Sequence, residues 1–201
     1  MKLYYAPGAC SLAPHIVVHE MGLACDREKV DLRTHKTENG ADYMSINPKG
    51  YVPTLALDNG VMLTEVAAVV QYLGDQKATG IVAPAGTIAR YQQIEWLSFI
   101  ATEIHKQLGP FFRPDLSADA REQQTALLKR RFDYLVTHIK GPFIGGDAFS
   151  VVDAYLYTVL NWTRFLKFDM SAWPALTDYM ERVEKRPAVQ KALTEEGLLP
   201  S

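Results

Sequence analysis

Cysteine is scarce in this chain of 201 residues, which contains only Cys10 and Cys25. Two cysteines are too few for a disulfide framework or a cysteine-based zinc site, so we expect a reducing cytoplasm and no metal. A helix between them would hold them roughly 16 Å apart. A disulfide needs Cα atoms within about 7 Å. Redox chemistry at Cys10 would therefore require a thiol from outside the chain.

Strong net charge and long apolar runs are also missing. The net charge of −2 and the pI of about 6.2 offer no basic field for nucleic acid or an anionic membrane. No apolar run approaches the ~18 residues of a transmembrane helix, and we expect no signal peptide before the first strand. What remains is a globular composition, with 48% apolar residues and enough chain for one large domain or two small ones.

The first part of the chain predicts a small α/β domain with a mixed four-stranded sheet. Ser11 is expected to cap the first helix, and Asn59-Gly60 to close a hairpin. Residues 32–50 are rich in turn formers and predict a loop. The predicted elements are strand 2–6, helix 11–21, strand 27–31, hairpin strands 54–57 and 61–63, and helix 66–74.

After a linker at 77–86, the pattern of the chain changes completely. No strand pattern survives there, and apolar residues recur at helical spacing. Ser150 and Asp153 predict a capping box at the start of one helix. The sequence therefore predicts an all-α second domain. Its expected helices are 88–108, 118–139, 151–166, 173–185 and 188–193.

Cys10 lies where the first strand is expected to turn into a helix. The first amides of a helix point outward and carry about half a positive charge, which favours a thiolate. A cysteine of pKa about 8.5 is about 3% ionised at pH 7, whereas a pKa of roughly 6.5 gives about three quarters. The alternative is a small buried apolar residue, which describes most free cysteines. The placement alone leaves both interpretations open.

Four short segments, in this order, are similar to motifs of one known family. They are Ala9-Cys10-Ser11, Asn47-Pro48-Lys49-Gly50-Tyr51-Val52-Pro53, Leu63-Thr64-Glu65, and Ile94-Glu95-Trp96-Leu97 with Thr102-Glu103-Ile104-His105-Lys106. Together they resemble the cytosolic glutathione transferases, in particular the bacterial beta class, over essentially the whole chain. The resemblance implies a thioredoxin-like, glutathione-binding domain at 1–76. It also implies an all-helical domain at 87–201 that contributes a pocket for an electrophile.

The resemblance further implies what the protein works with. Glutathione would be the co-substrate, with no other cofactor, and a small hydrophobic electrophile the second substrate. A cytoplasmic homodimer is expected, without nucleic acid or membrane partners. Cys10 and His105 would be the catalytic residues. In other classes a tyrosine or serine hydroxyl activates glutathione, so Tyr5 is an alternative that the beta-class pattern disfavours.

The glutathione-binding residues follow from the same resemblance. The backbone of Val52, before a Pro53 whose peptide bond can be cis, would expose an edge that pairs with the tripeptide. Glu65 would accept a bond from the α-amino group, and the amide of Val66 would meet a carboxylate. Val66 replaces the usual serine, so one side-chain hydrogen bond would be lost.

Two further groups of residues complete the predicted site. His35 stands where the family commonly has lysine, so either His35 or the adjacent Lys36 would meet the glycine carboxylate of glutathione. On the helix predicted at 88–108, four polar residues share one face at helical spacing. They are Ser98, Thr102, His105 and Lys106. The remaining histidines are expected to be surface or satisfied core residues: His15, His19 and His138.

Two mechanisms and two other functions remain open. Cys10 and His105 would either stabilise a glutathione thiolate that attacks the electrophile, or Cys10 would itself form a mixed disulfide with glutathione. The latter would give thiol–disulfide or peroxidase activity. Alternatively, the chain is a non-catalytic ligand-binding protein of this fold, or a partner that uses the fold only for association.

Overall fold

The strand β1 (Lys2–Tyr5) lies at the centre of a mixed sheet in a computed structural model that describes residues 1–78 and 80–199. The sheet has the order β3–β2–β1–β4–β5, with β2 parallel to β1 and the remaining pairs antiparallel. Thr79, within the predicted linker, and Pro200 and Ser201 lie outside the described residues. The other strands are β2 (Asp26–Asp31), β3 (Lys36–Thr37), β4 (Thr54–Ala56) and β5 (Met62–Thr64).

The sheet has five strands, so the prediction of four was wrong. The additional strand is β3, which lies inside the segment predicted as a loop and pairs with β2 through Val30 and Asp31. Two residues are too few to display the alternation that identifies a strand in a sequence. The predicted hairpin is confirmed, because β4 and β5 pair and Gly60 turns the chain with a φ of +83°.

Helices cover the sheet of this first unit and bury a shared apolar core. Helix α1 packs against both α3 and the late helix α9. Ser11 precedes α1 but does not cap it, since its hydroxyl bonds to the backbone of Ala6 instead. The helices are α1 (Leu12–Glu20), α2 (Tyr43–Ile46), α3 (Val66–Gly74) and α9 (Pro187–Glu195).

The second unit is helical, as the sequence predicts. The stretch predicted as one helix at 88–108 contains a π-helical segment, Ile100–His105, between two α-helices. The predicted capping box is confirmed, since Ser150 and Asp153 satisfy each other's backbone amides at the start of α7. The helices are α4 (Ile88–Phe99), α5 (Lys106–Leu108), α6 (Ala118–His138), α7 (Val151–Phe165) and α8 (Pro174–Glu184).

The two compact units do not follow the order of the chain. The first contains the described residues of Met1–Thr79 and Arg186–Ser201, and the second contains Gly80–Lys185. The predicted domain at 87–201 had assigned the last helix to the helical part, and those boundaries stay a prediction. The predicted fold class is confirmed. Across residues 1–78 and 80–199, no helix has both the length and the apolar character needed to cross a bilayer.

Candidate active site

Cys10 lies immediately before α1, and its thiol donates a hydrogen bond to the carbonyl oxygen of Val52 at 3.1 Å. Burial raises the pKa of the thiol to about 12, and the backbone amides of Cys10 and Ser11 offset only part of that effect. The carboxylate of Glu65 raises it further. Of the two interpretations that the placement left open, the structure favours a neutral thiol at neutral pH, because the loss of hydration outweighs the helix amides.

Val52 is the residue that receives the Cys10 hydrogen bond, and its peptide bond to Pro53 is cis. The residue is only 2% exposed. Its carbonyl was expected to face solvent as part of an open edge, but it faces the sulfur of Cys10 instead. The sequence therefore brings Cys10 and Val52 together, in a geometry that it did not predict.

Glu65 begins α3 in an uncommon backbone conformation, with a φ of +69°. Its Oε1 accepts hydrogen bonds from Lys49 Nζ at 2.6 Å and from the Tyr51 hydroxyl at 2.7 Å. The Glu65 hydrogen bond is the largest cause that raises the pKa of Tyr51 and of Lys49. Sequence reasoning missed both partners, although they lie in the segment 47–53 that supported the resemblance. Val66 follows with a buried side chain, so only its backbone is available for the predicted contact.

His35 and Lys36 have different surroundings at the end of the loop. His35 has a φ of +52°, and its Nδ1 is buried without a hydrogen-bond partner among the described residues. Its ring lies against Gly50, where an added Cβ would come within 3.2 Å of the His35 Cε1. Lys36 is exposed on β3, where it pairs in register with Asp31 of β2.

In the second unit, His105 ends the π-helical segment, and its Nδ1 lies 2.6 Å from the hydroxyl of Tyr155. The edge of its ring contacts Trp162 at a centroid distance of 4.8 Å. Neither aromatic partner was predicted, since both lie on α7, about 50 residues away in the chain. π-Helical turns are rare and occur frequently at functional sites.

The three polar residues around His105 are exposed: Ser98, Thr102 and Lys106. Ser98 donates to the carbonyl of Ile94 at 2.8 Å, and Thr102 donates to that of Ser98 at 3.1 Å. Their predicted common face assumed 3.6 residues per turn throughout. The π-helical segment changes that spacing between Ser98 and His105, so the derivation does not apply.

Comparisons with known proteins agree with this architecture. The model of the glutathione S-transferase N-terminal domain matches residues 8–76, and that of the C-terminal domain matches residues 99–187. Glutathione S-transferase GstA from Escherichia coli O157:H7 is 44% identical over 98% of this chain and 100% of its own length. The chain belongs to the glutathione S-transferase family.

Solved structures show which class of this family the chain resembles. A sphingomonad glutathione S-transferase in complex with glutathione is 43% identical, with a TM-score of 0.94 over 99% of this chain and 100% of its own. A bacterial beta class enzyme from Sphingomonas chungbukensis has the same identity, TM-score and coverage. The resemblance that the four sequence segments indicated is thus confirmed. The roles of the individual site residues remain predictions.

Proposed function

We propose that this protein conjugates glutathione to small hydrophobic electrophiles, with glutathione as co-substrate. Family membership and the glutathione-complexed relative support this activity. The observation that carries the proposal is the 3.1 Å hydrogen bond between Cys10 and Val52. It brings a sulfur donor to the backbone where the resemblance expects the tripeptide to lie.

Glutathione would bind through its backbone and its charged ends. Val52 would contribute main-chain contacts, and Glu65 would accept a hydrogen bond from the α-amino group. Lys49 already places an ammonium group on Glu65, which is the kind of partner that the α-amino group supplies. His35 or Lys36 would meet the glycine carboxylate, and the amide of Val66 would meet the carboxylate at the other end of glutathione.

The proposed reaction uses the sulfur of glutathione as nucleophile. Its thiolate attacks an electrophilic carbon, a carbon–sulfur bond forms, and a halide leaves with the bonding electron pair. Because Cys10 is protonated at neutral pH, it would donate its S–H to that thiolate and stabilise it. His105 is the second proposed catalytic residue, and the other proposed binding residues of its helix are Ser98, Thr102 and Lys106.

A second mechanism would oxidise Cys10 itself. Here the Cys10 thiolate attacks the sulfur of a glutathione disulfide, one glutathione leaves, and a second glutathione releases the mixed disulfide. This branch requires deprotonation of a thiol whose pKa burial raises to about 12. We therefore expect conjugation to be the main activity and disulfide reduction to be slower at neutral pH.

The two branches are separated by replacing Cys10. The purified protein is assayed with a dinitrophenyl halide for conjugation and with a small disulfide for reduction, each with glutathione. In C10A we expect conjugation to stay within about tenfold and disulfide reduction to fall at least about a hundredfold. C25A is the matched control and should retain both activities, because Cys25 donates to the carbonyl of Asp26 and belongs to none of the predicted site segments.

Other results would favour the alternative functions. Tight glutathione binding without turnover of any electrophile or disulfide would indicate a non-catalytic ligand-binding protein. Absence of glutathione binding by calorimetry would indicate a partner that uses the fold only for association. Either result would overturn the proposed conjugation.

The assembly and location are proposed on the same resemblance. We expect a homodimer, and gel filtration that returns a species of 22.5 kDa would contradict it. A cytoplasmic location fits the two free cysteines. Cell fractionation that recovers the protein outside the cytoplasm would contradict this location.

A further inference from the structure

A cluster of ligand-type side chains lies on α1, away from the Cys10–Val52 pair. His15 and His19 are four residues apart on that helix, so both imidazoles face the same way. Glu195, the last residue of α9, places a carboxylate between them. His15 Nε2 lies 3.2 Å from His19 Nε2, and Glu195 Oε2 lies 2.9 Å and 2.6 Å from these two atoms.

These distances are close to those of a metal ligand set. Tetrahedral zinc with bonds of about 2.0–2.1 Å to nitrogen and oxygen has neighbouring ligand atoms about 3.3 Å apart. The three observed separations would have to lengthen by about 0.1 to 0.7 Å to reach this geometry. We propose that His15, His19 and Glu195 form a binding site for a divalent transition metal ion such as Zn²⁺.

Glu196 makes a hydrogen bond with His15, one of the proposed metal ligands. Its Oε1 lies 2.8 Å from His15 Nδ1, and its Oε2 accepts the backbone amide of Gly8 at 2.8 Å. Both His15 and Glu196 are buried. A carboxylate on Nδ1 keeps the proton there and turns the lone pair of Nε2 toward the cluster, as in many histidine-ligated metal sites.

Arg27 on β2 competes with a metal for the same atoms. Its Nη1 contacts both His15 Nε2 and Glu195 Oε2. The side chain is 30% exposed, and the cluster borders a surface cleft of about 690 Å³ that includes Arg27 and His19. The guanidinium can therefore swing into the cleft. A divalent ion would replace one positive charge with two beside the carboxylates of Glu195 and Glu196, which favours the exchange.

The competing explanation is an ion-pair clasp that joins α1 to α9 and binds no metal. The two are distinguished by titrating the full chain with Zn²⁺ in competition with a chromophoric chelator. We expect H19A and E195Q each to lower Zn²⁺ affinity at least about tenfold. R27A should raise it about tenfold, because the competing cation is gone. H138A, in α6, is the matched control and should leave the affinity unchanged.

Each outcome decides between the two explanations. Circular dichroism first establishes that the variants are folded, and E195Q retains the shape of Glu195 should H19A fail this check. A Co²⁺ derivative with the intense visible bands of tetrahedral coordination, lost in E195Q, would support the site. Equal Zn²⁺ affinity of the wild type and E195Q, or no Zn²⁺ binding even by R27A, would overturn it and leave only the clasp.

Discussion

Two titratable groups beside α1 have pKa shifts of opposite sign, although burial acts to raise both pKa values. At the start of the helix, the Cys10 thiol donates to a neutral carbonyl, and burial raises its pKa to about 12. Burial also acts to raise the pKa of Glu195. However, the guanidinium of Arg27 and the imidazoles of His19 and His15 lower that pKa from 4.5 to about 2. The same fold thus holds one group neutral and the other charged.

Asp153 in the second unit is a third case, in which burial is combined with several hydrogen bonds from neutral donors. It accepts hydrogen bonds from the amides of Ile144 and Ser150, and from the hydroxyls of Ser150 and Tyr179. Burial still raises the pKa of its carboxyl group. The comparison teaches that neutral donors compensate only part of the lost hydration, whereas an opposite charge reverses the direction of the shift.

The largest expected effect is on the alkylation rate of Cys10, which tests whether burial keeps this thiol neutral. In a C25S background, the rate of Cys10 alkylation by iodoacetamide should rise about tenfold per pH unit, or about a thousandfold from pH 7 to pH 10, because only the thiolate reacts. Stopped samples analysed by intact mass give the rate at each pH. A rate that levels off before pH 10 would show an ordinary or lowered pKa and contradict the effect of burial.

Removing the buried carboxylate should have the next largest effect. D153A leaves two buried amides and two hydroxyls without their acceptor, so we expect the free energy of unfolding to fall by about 2–4 kcal/mol. Urea denaturation measures this change. The exposed Asp147, in the turn before α7, provides the control, and D147A should change stability by less than about 0.5 kcal/mol. Equal effects of the two substitutions would refute the role of the capping box.

The lowered pKa of Glu195 is tested by measuring the stability of the protein at low pH. The pKa of Glu195 is lower in the folded protein than its ordinary value, so its ionised form stabilises the fold at pH values above about 4.5. This contribution is lost as pH falls from about 4.5 toward 2. The wild type should therefore lose more stability over this range than E195Q, by ~1 kcal/mol or less for a partly exposed pair. Parallel pH profiles in urea denaturation would contradict the lowered pKa.

The smallest effect is expected at the exposed carboxylate of Glu65. Y51F removes the hydroxyl that donates to Glu65, and we expect the KM for glutathione to rise two- to threefold at unchanged stability, to within about 0.5 kcal/mol. Steady-state kinetics with varied glutathione measures this. Y91F, at an exposed tyrosine of α4, is the control. A lower KM in Y51F would mean that Tyr51 competes with glutathione for Glu65.

Local patterns in the sequence were sufficient for much of this fold. The Asn59-Gly60 hairpin and the Ser150–Asp153 capping box depend on neighbours within a few residues, and both are confirmed. The π-helical segment leaves no comparable signal, because its apolar spacing was compatible with an α-helix. Most of β1 and α1 was likewise predicted from local patterns, whereas the proximity of Cys10 to the Val52 segment was implied only by the family resemblance.

The contacts that the sequence did not reveal are mostly distant along the chain. His15 meets Glu196 across 181 positions, and His105 meets Tyr155 across 50. No periodicity or motif rule links residues at such separations. The protonation state of Cys10 stayed open in the sequence for a different reason. The helix amides were visible in the pattern, but the surrounding protein atoms that remove water were not.

The carboxylate of Glu196 also links the start of the chain to a residue that is synthesised late. It bonds to Gly8, two residues before Cys10, from 188 positions further along. When only the first 78 residues have been synthesised, α9 is not yet available to pack against α1. The imidazole of His15 also lacks its partner Glu196 at that stage. The turn that carries Cys10 can therefore acquire the hydrogen bond between Gly8 and Glu196 only after residue 196 has been synthesised.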